Sequence, residues 1–432
     1  MFTHLASLAA TQTAYGAFFS TLRWISLFLF AGSALLLAST SGRLSSQLKV
    51  VDLRVLVYLG LWAFTVINSD QPLFSGYRWA AHAMIVVSCL VCLPRVVRMV
   101  DAWKLLLVLK LIIGLMLVVS YLRPAEFNVF DDRTLYKGIF GNPNALGHMA
   151  AVGCLLFLHG FITQQKSRWG QFQAVMAGLA GLLMIQSGAR SSTLAFLGGF
   201  SVLFVLYRSR LSRYLALGGL VTILALVIYP DQSGRVENFV FKHGMTQSGS
   251  ALDRVTSTRQ TAWESHWEGF EKKPVLGWGF GVDQDTDLSQ WHGELTALGS
   301  TGRDSVNDIM YTLESGGVVG LVAYVLILSL IFNAWIPRVL RARLDVMRGQ
   351  PGNETLASVY EVQRAFFCLT ALLIVLFELD NTALAAGNFF AALLWFSLGL
   401  SIGLYNKLRR ELRRHAIKPS FLRSPVSVGR LC

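Results

Sequence analysis

Long apolar runs alternate with short polar connections along most of the chain, and each run is about as long as a bilayer is thick. A helix needs about 20 apolar residues to cross the hydrocarbon core. On this basis the pattern predicts eleven spans: 24–40, 53–68, 79–97, 103–122, 145–163, 172–189, 191–207, 213–230, 316–336, 364–380 and 385–405. The predicted fold is therefore all-α, a polytopic transmembrane helical bundle that forms a single integral membrane domain over residues 1–432.

The number of predicted spans is eleven or twelve, depending on how the N-terminal residues are interpreted. Residues 2–21 are uncharged apart from His4, and they predict either a twelfth span or an interfacial helix. They have no basic segment before an apolar core, so a cleaved signal peptide is not expected.

One polar stretch, at about 230–315, interrupts the apolar pattern and predicts a large loop that contains short helices. Ser257 and Gln260 fit a capping box that would start a helix near Thr258. Pro274 would end this helix. The next residues, GWGFG, form a turn that needs the backbone freedom of glycine. A simple membrane anchor has no use for such a loop, so we expect a functional site there.

The basic residues predict the orientation in the membrane. The chain has 38 Lys and Arg against 25 Asp and Glu, a net charge of +13. Under the eleven-span count, the basic clusters and the tail 405–432 all fall on one side, which the positive-inside rule makes cytoplasmic. The loops at 69–78, 123–144 and 230–315 then face outward. The clusters flank spans and do not cover one soluble surface, so no nucleic-acid partner is expected.

Cysteine and histidine do not indicate a disulfide or a metal site. The five cysteines lie in predicted spans or at the C-terminal end, so the outer loop has none to pair. Cys89 and Cys92 form a CxxC inside an apolar helix, where packing is the expected role. The eight histidines are scattered. We therefore predict no metal and no other cofactor.

Five short motifs follow one another along the predicted outer side. They are G-x-F-x-N-P-N at 138–144, S-x-x-R at 187–190, R-x-x-x-W at 259–263, P-x-L-G-x-G-x-G at 274–281, and Asn307 before a G-x-x-G at 317–320. No single motif is specific, but their order over about 136–325 resembles the O-antigen ligase and Wzy-type polymerase superfamily.

This resemblance implies glycan transfer at the periplasmic face of a bacterial inner membrane, with the C-terminus in the cytoplasm. The donor would be a glycan on undecaprenyl diphosphate. The acceptor would be a sugar hydroxyl, on a second lipid-linked glycan in the polymerases or on lipid A–core in the ligases. The resemblance also implies inversion at the anomeric carbon without a metal. Membrane lipids and a chain-length regulator protein are further candidate partners.

One departure from the family pattern affects the choice of acceptor. Ligases of this superfamily usually carry His-Asn before the last G-x-x-G, whereas this chain has Val306 and Asn307. We therefore favour a Wzy-type polymerase of exopolysaccharide or O-antigen repeat units. The alternatives are an O-antigen ligase acting on lipid A–core and a protein O-glycan ligase. Two further alternatives are not enzymes: a transporter of the lipid-linked glycan and a membrane scaffold. A transporter would be expected to have interrupted spans at corresponding positions in its two halves.

Two arginines are the candidates for stabilising the diphosphate leaving group, because guanidinium groups stay charged and bind phosphate oxygens in pairs. Arg190 lies at the outer end of a predicted span. Its alternative role is structural: the long side chain would extend its charge from the helix end to the membrane–water interface. Arg259 shares a predicted helical face with Trp263 and Phe270. Its alternative role is an ion pair or stacking on tryptophan.

The general base that would accept the proton of the acceptor hydroxyl is not fixed by the sequence. Asp308 and Asp380 are the catalytic candidates, and Glu314, Glu378, His148 and His292 remain open. The predicted substrate-binding residues are Asn142, Asn144, His148, Trp263, Gly279, Asn307 and Glu314.

Overall fold

The computed structural model describes residues 25–33, 36, 53–94, 97, 101–123, 127–130, 133–140, 142–207, 251–284, 308–332, 354–379 and 388–416. The predicted segments at 2–21 and 213–230 lie outside these residues, as do Asn307, Asp380 and His292.

Helices make up nearly all of the described chain. In order they are α1 (Leu53–Ile67), α2 (Pro72–Val87, continued by a π-helical turn at Ser88–Cys92), α3 (Ala102–Leu122), α4 (Pro143–Thr163), α5 (Arg168–Gln186), α6 (Arg190–Tyr207), α7 (Ala251–Lys272), α8 (Asp308–Leu330), α9 (Glu354–Leu379) and α10 (Phe389–Ala416). Strands β1 (Phe127–Phe130) and β2 (Arg133–Tyr136) lie between α3 and α4.

Six of the described helices are long and apolar enough to cross a membrane: α3, α4, α6, α8, α9 and α10. The predicted polytopic helical bundle is thereby confirmed. Helices α4 and α10 are its centre, with 89% and 83% of their apolar windows buried, whereas α6 has only 33%. On α3, the exposed side chains of Leu107, Leu111 and Leu115 recur every four residues. Such an apolar stripe on a membrane helix is suited to contact with lipid.

Several predicted ends of elements are wrong. Helix α2 begins at Pro72, so most of the predicted outer loop 69–78 is helical. Proline suits the first turn of a helix because that turn needs no backbone donor. Helix α7 begins at Ala251, so the capping box at Ser257 does not exist. Gln260 instead donates to Glu264 one turn later, at 2.9 Å.

A two-stranded antiparallel hairpin, β1–β2, occupies part of the predicted loop 123–144 and was not predicted. The Tyr136 hydroxyl at its end donates to the Ser120 carbonyl oxygen in α3. Burial raises the pKa of Tyr136, which keeps the phenol protonated as a donor. The next turn needs Gly138, which has a φ of 57° and lies so close to Ser120 that a Cβ would be 2.7 Å from the serine Cβ.

Helix α8 is broken at Gly317 (φ 58°, ψ −153°), and the chain folds back on itself there. A Cβ on Gly320 would lie 2.9 Å from the Thr312 carbonyl oxygen. In a straight helix eight residues span about 12 Å. Asp308 and Tyr324 likewise line one cavity, although they are 16 residues apart. The helical segments before and after Gly317 therefore lie side by side.

The break at Gly317 lies just after the predicted end of the large loop. Residues 308–315, the last part of the predicted loop 230–315, form the first helical segment of α8 and are largely buried. A polar, partly helical segment of this kind is tolerated inside a membrane protein where other parts of the protein cover its backbone.

Candidate active site

The glycine motif at 274–281 pairs with residues 314–320, which contain the G-x-x-G at 317–320, and we call these residues together the glycine joint. Residues 274–281 follow α7, and 314–320 include the break in α8. Four backbone hydrogen bonds join them: Trp278 N to Glu314 O (3.1 Å), Gly279 N to Ser315 O (2.7 Å), Val318 N to Pro274 O (2.9 Å) and Val319 N to Val275 O (3.2 Å). The broken backbone of α8 thus finds its partners in the P-x-L-G-x-G-x-G segment.

Glycine is required at this joint for both conformation and space. Gly277 and Gly279 have φ values of 62° and 114°, which residues with a Cβ rarely adopt. A Cβ on Gly277 would collide with the backbone of Ser315, and one on Gly279 with the Ser69 side chain. The predicted need for glycine in GWGFG is confirmed.

Side chains in and after the α1–α2 turn donate hydrogen bonds to backbone carbonyl oxygens of the glycine joint. The Ser69 hydroxyl donates to Trp278 O at 2.6 Å, and the Ser75 hydroxyl donates to Phe280 O at 3.1 Å. The Arg78 guanidinium donates to Gly281 O. These three residues were not singled out from the sequence. Their carbonyl partners lie more than 200 residues away along the chain, so no local pattern reveals them.

Ion pairing adds a further link at the same place. Lys273, just before the joint, pairs with Asp70 in the α1–α2 turn, and its ammonium lies 4.2 Å from the centre of the Trp278 ring. Both charged side chains are partly exposed, so this pair contributes at most about 1 kcal/mol.

A buried histidine–glutamate pair links α7 to the glycine joint, because the glutamate is residue 314 of the joint. His266 Nδ1 on α7 and Glu314 Oε2 on α8 are 2.5 Å apart, and each side chain is only 1% exposed. The other carboxylate oxygen accepts from the backbone N–H of Gln284 at 3.1 Å. Gly269, one turn after His266, leaves the space that the carboxylate fills, since a Cβ there would collide with Oε1.

His266 was not singled out from the sequence, although its spacing carried a signal. It follows Arg259 by seven residues and Trp263 by three, which puts all three positions on one face of α7. Its ring lies 6.2 Å from that of Tyr311 on α8. Its second nitrogen, Nε2, is buried and has no hydrogen-bond partner among the described residues.

Asp308 lies inside the bundle and not at its outer surface. It is 0% exposed and lines a cavity together with Tyr58 and Tyr324. The remaining lining is apolar or aromatic: Ile327, Leu328, Ile331, Ile374, Phe377, Leu394, Trp395 and Leu398. Tyr58 is hydrogen-bonded to His82 at 2.8 Å, and Tyr324 donates to the Glu378 carboxylate.

The S-x-x-R turn packs against the start of α4. Arg190 is half-buried and is the first residue of α6. Its neighbour Ser191 is 3.4 Å from His148 Nε2 on α4. A Cβ on Gly147 would be 2.5 Å from the Ala189 Cβ, so these two segments touch closely. The first turns of α4, which follow the N-P-N motif, therefore pack against the S-x-x-R turn and the start of α6.

Asn142 and Asn144 are both exposed at the start of α4. The Asn142 side-chain oxygen accepts from the Ala145 N–H at 2.7 Å, which makes it the N-cap of the helix. Its role in the fold is thus visible, while its predicted contact with substrate stays a prediction.

Residues 174–325 match the family model Wzy_C, described as O-antigen ligase. Over this part of the chain the sequence is similar to the O-antigen ligase family, which supports the predicted resemblance to the O-antigen ligase and Wzy-type polymerase superfamily. The matched range contains the S-x-x-R turn, the R-x-x-x-W helix and both sides of the glycine joint; the N-P-N motif precedes it. No curated protein matches the chain.

This similarity, together with the six apolar helices, supports a multi-pass membrane protein of the ligase or polymerase type. The superfamily motifs form two clusters in the structure, one at Arg190 and one at Glu314. Helix α10 contacts the surroundings of both: Phe390 packs on His148 at 5.4 Å between ring centres, and Trp395 on Tyr58 at 5.9 Å.

Some predicted site residues cannot be placed relative to these clusters. Asn307 and Asp380 lie outside the described residues, as does the side chain of Arg259. Trp263 is half-buried on α7, and its indole nitrogen has no hydrogen-bond partner within the described part of the chain. In that same part, no group of three or more His, Cys, Asp or Glu side chains is arranged to hold a metal ion. Metal independence stays a prediction.

Proposed function

We propose that the protein transfers a glycan from undecaprenyl diphosphate to a carbohydrate hydroxyl at the periplasmic face of the inner membrane. The observation that carries this proposal is the O-antigen ligase match over 174–325, the stretch whose two glycine motifs interlock beside a buried His–Glu pair. Membrane lipids would surround the bundle and deliver the lipid-linked donor.

Arg190 is the first proposed contact to the diphosphate. Breaking the sugar–phosphate bond places negative charge on phosphate oxygens, and fixed positive groups lower the energy of that state. Arg190 combines a permanent charge with the positive end of the α6 helix dipole. Its half-buried position at a helix start suits a lipid headgroup better than a site at the bilayer centre.

Arg259 on α7 is the second proposed contact. With two guanidinium groups available, the leaving diphosphate would be neutralised without a metal. The acceptor oxygen then attacks the anomeric carbon on the face opposite the diphosphate, which inverts the configuration. A base must take up the hydroxyl proton.

The first test removes each arginine. We expect Arg190→Ala and Arg259→Ala to abolish glycan polymer in a strain that lacks the native gene, because each change removes charge stabilisation of the leaving group. Polymer would be measured by gel electrophoresis and sugar analysis, and membrane content by immunoblotting. Arg168→Ala is the matched control, since Arg168 also begins a helix but is exposed on the predicted cytoplasmic side. Normal polymer in both arginine variants would refute the proposed site.

A second experiment separates polymerase from ligase. The absence of histidine at Val306 favours the polymerase. The purified full-length protein would be given undecaprenyl-diphosphate repeat units alone, with and without a chelator. A polymerase lengthens the lipid-linked chains under both conditions. Product that forms only after lipid A–core is added would instead establish the ligase.

A further inference from the structure

His266 has a buried imidazole in which one nitrogen contacts a carboxylate and the other has no hydrogen-bond partner among the described residues. Nδ1 is 2.5 Å from Glu314 Oε2, while Nε2 has no hydrogen-bond partner among the described residues. A carboxylate only accepts hydrogen bonds, so the proton of a neutral His266 must lie on Nδ1. This tautomer leaves a lone pair on Nε2, which is what a general base needs.

Glu314 is itself held in a fixed orientation. Its Oε2 accepts from His266, and its Oε1 accepts from the Gln284 N–H. With both oxygens engaged, Glu314 is placed to orient the imidazole and to stabilise the imidazolium that forms after proton uptake. It is less suited to accept a proton from substrate directly.

The groups around the pair come from three parts of the chain. Tyr311 on α8 lies against the His266 ring. Arg78 on α2, Asp283 after the glycine joint, and Glu314 and Asp308 on α8 all act electrostatically on Tyr311. The pair is therefore part of a charged cluster at the glycine joint and not an isolated contact in an apolar core.

We propose that His266 is the general base of the transfer reaction and Glu314 its positioning residue. This inference rests on the proposed function. His266 Nε2 takes the proton of the acceptor hydroxyl as that oxygen forms its bond to the anomeric carbon. The bond from the anomeric carbon to the diphosphate breaks, and the diphosphate leaves with the electron pair. The imidazolium then releases its proton to water.

The position of His266 accounts for the residue missing from the family pattern. The chain has Val306 where ligases of the superfamily usually have histidine. Here the imidazole comes from α7, which packs directly on α8 through the His266–Glu314 contact. Of the other candidate bases, Asp308 lies in a largely apolar cavity, and Asp380 lies outside the described residues.

The decisive variant is His266→Asn. The asparagine amide can replace Nδ1 as donor to Glu314, but it offers nothing in place of Nε2. With full-length protein in nanodiscs and undecaprenyl-diphosphate repeat units as donor and acceptor, we expect a rate loss of about 100-fold. The wild-type rate should fall as the pH is lowered, because a protonated Nε2 cannot accept a proton. The residual rate of the variant should lack this decrease.

Two further variants distinguish a base from a residue that only joins two helices. His266→Ala should regain at least tenfold of its lost rate when imidazole is added, whereas Arg190→Ala should not. Glu268→Gln, an exposed neighbour on the same helix, should keep the wild-type rate and pH profile. A His266→Ala protein that imidazole does not rescue would make His266 structural and overturn the proposal.

The arginine variants separate the two proposals. If His266→Asn keeps a rate within twofold of wild type while Arg190→Ala is inactive, the base lies elsewhere and the proposed function stands. If Arg190→Ala and Arg259→Ala are also active, the proposed function itself fails.

Discussion

Asn142 is the residue at which a structural and a predicted functional role coincide. It was predicted to bind substrate, and the structure makes it the N-cap of α4, the most buried of the helices that can span the membrane. The two roles predict different results for conservative substitutions, because an N-cap needs only a short side chain with an acceptor oxygen.

We expect Asn142→Ala to lower the free energy of unfolding by about 1 kcal/mol and Asn142→Asp to leave it nearly unchanged. Thermal unfolding in detergent, followed by circular dichroism, measures this difference. Transfer activity is measured on the same samples. An Asn142→Asp protein with normal stability and no activity would show that the amide itself contacts substrate.

At the residue level, Arg190 and the glycines could be singled out from the sequence because they belong to short motifs with local spacing. Their predicted roles in the chemistry stay predictions. The contacts of Ser69, Ser75 and Arg78 depend on carbonyl groups more than 200 residues away. His266 was not identified from the sequence because its possible role depends on its contact with Glu314, which lies 48 residues further along the chain.

At the level of elements, the glycine joint is the feature that most depends on a single residue type. Gly317 has a combination of φ and ψ that is essentially restricted to glycine. A Cβ there would also lie 2.5 Å from the carbonyl carbon of Val275. The fold-back of α8 and its pairing with the P-x-L-G-x-G-x-G segment therefore both require glycine at this position.

Gly317→Ala should destabilise the protein by about 1–3 kcal/mol from backbone strain alone. It should also reduce transfer activity, since Glu314 precedes the break by three residues. The matched control is Gly178→Ala in α5, where a Cβ meets nothing within 4 Å and alanine is the better helix former. Unfolding midpoints in detergent are the measurement. Equal stability of the two variants would contradict the described break.

For the six described helices that can cross a membrane, the centres agree with predicted spans, because a run of about 20 apolar residues has few alternatives to a membrane helix. Their ends were predicted less well. Helix α2 extends beyond its apolar run into the predicted loop, and α7 begins before its apparent cap. The break in α8 could not be predicted, because G-x-x-G is also compatible with an ordinary packed helix.

At the level of the whole molecule, the two faces of the membrane remain a prediction from basic residues. Leu73, at the start of α2, is 86% exposed and belongs to the predicted outer side. Cys432 belongs to the predicted cytoplasmic tail. The native Cys89, Cys154 and Cys368 are buried. With Cys92 replaced by serine, Leu73→Cys and Cys432 provide one engineered and one native thiol for a test of orientation.

A membrane-impermeant maleimide should label Leu73→Cys in intact spheroplasts and label Cys432 only after the membrane is permeabilised. The buried cysteines should react only after denaturation. The single variant Cys432→Ser gives the background. Labelling of both positions from the same side would overturn the predicted topology.

The glycine joint restricts the movement of the segment that follows α7. Four main-chain hydrogen bonds, with serine and arginine anchors behind them, tie the segment after α7 to the interior of the bundle. A hinged lid in this segment would have to break all of them at once. The segment after α7 is thus fixed to the bundle, and any opening that admits a substrate would have to come from movement elsewhere in the protein.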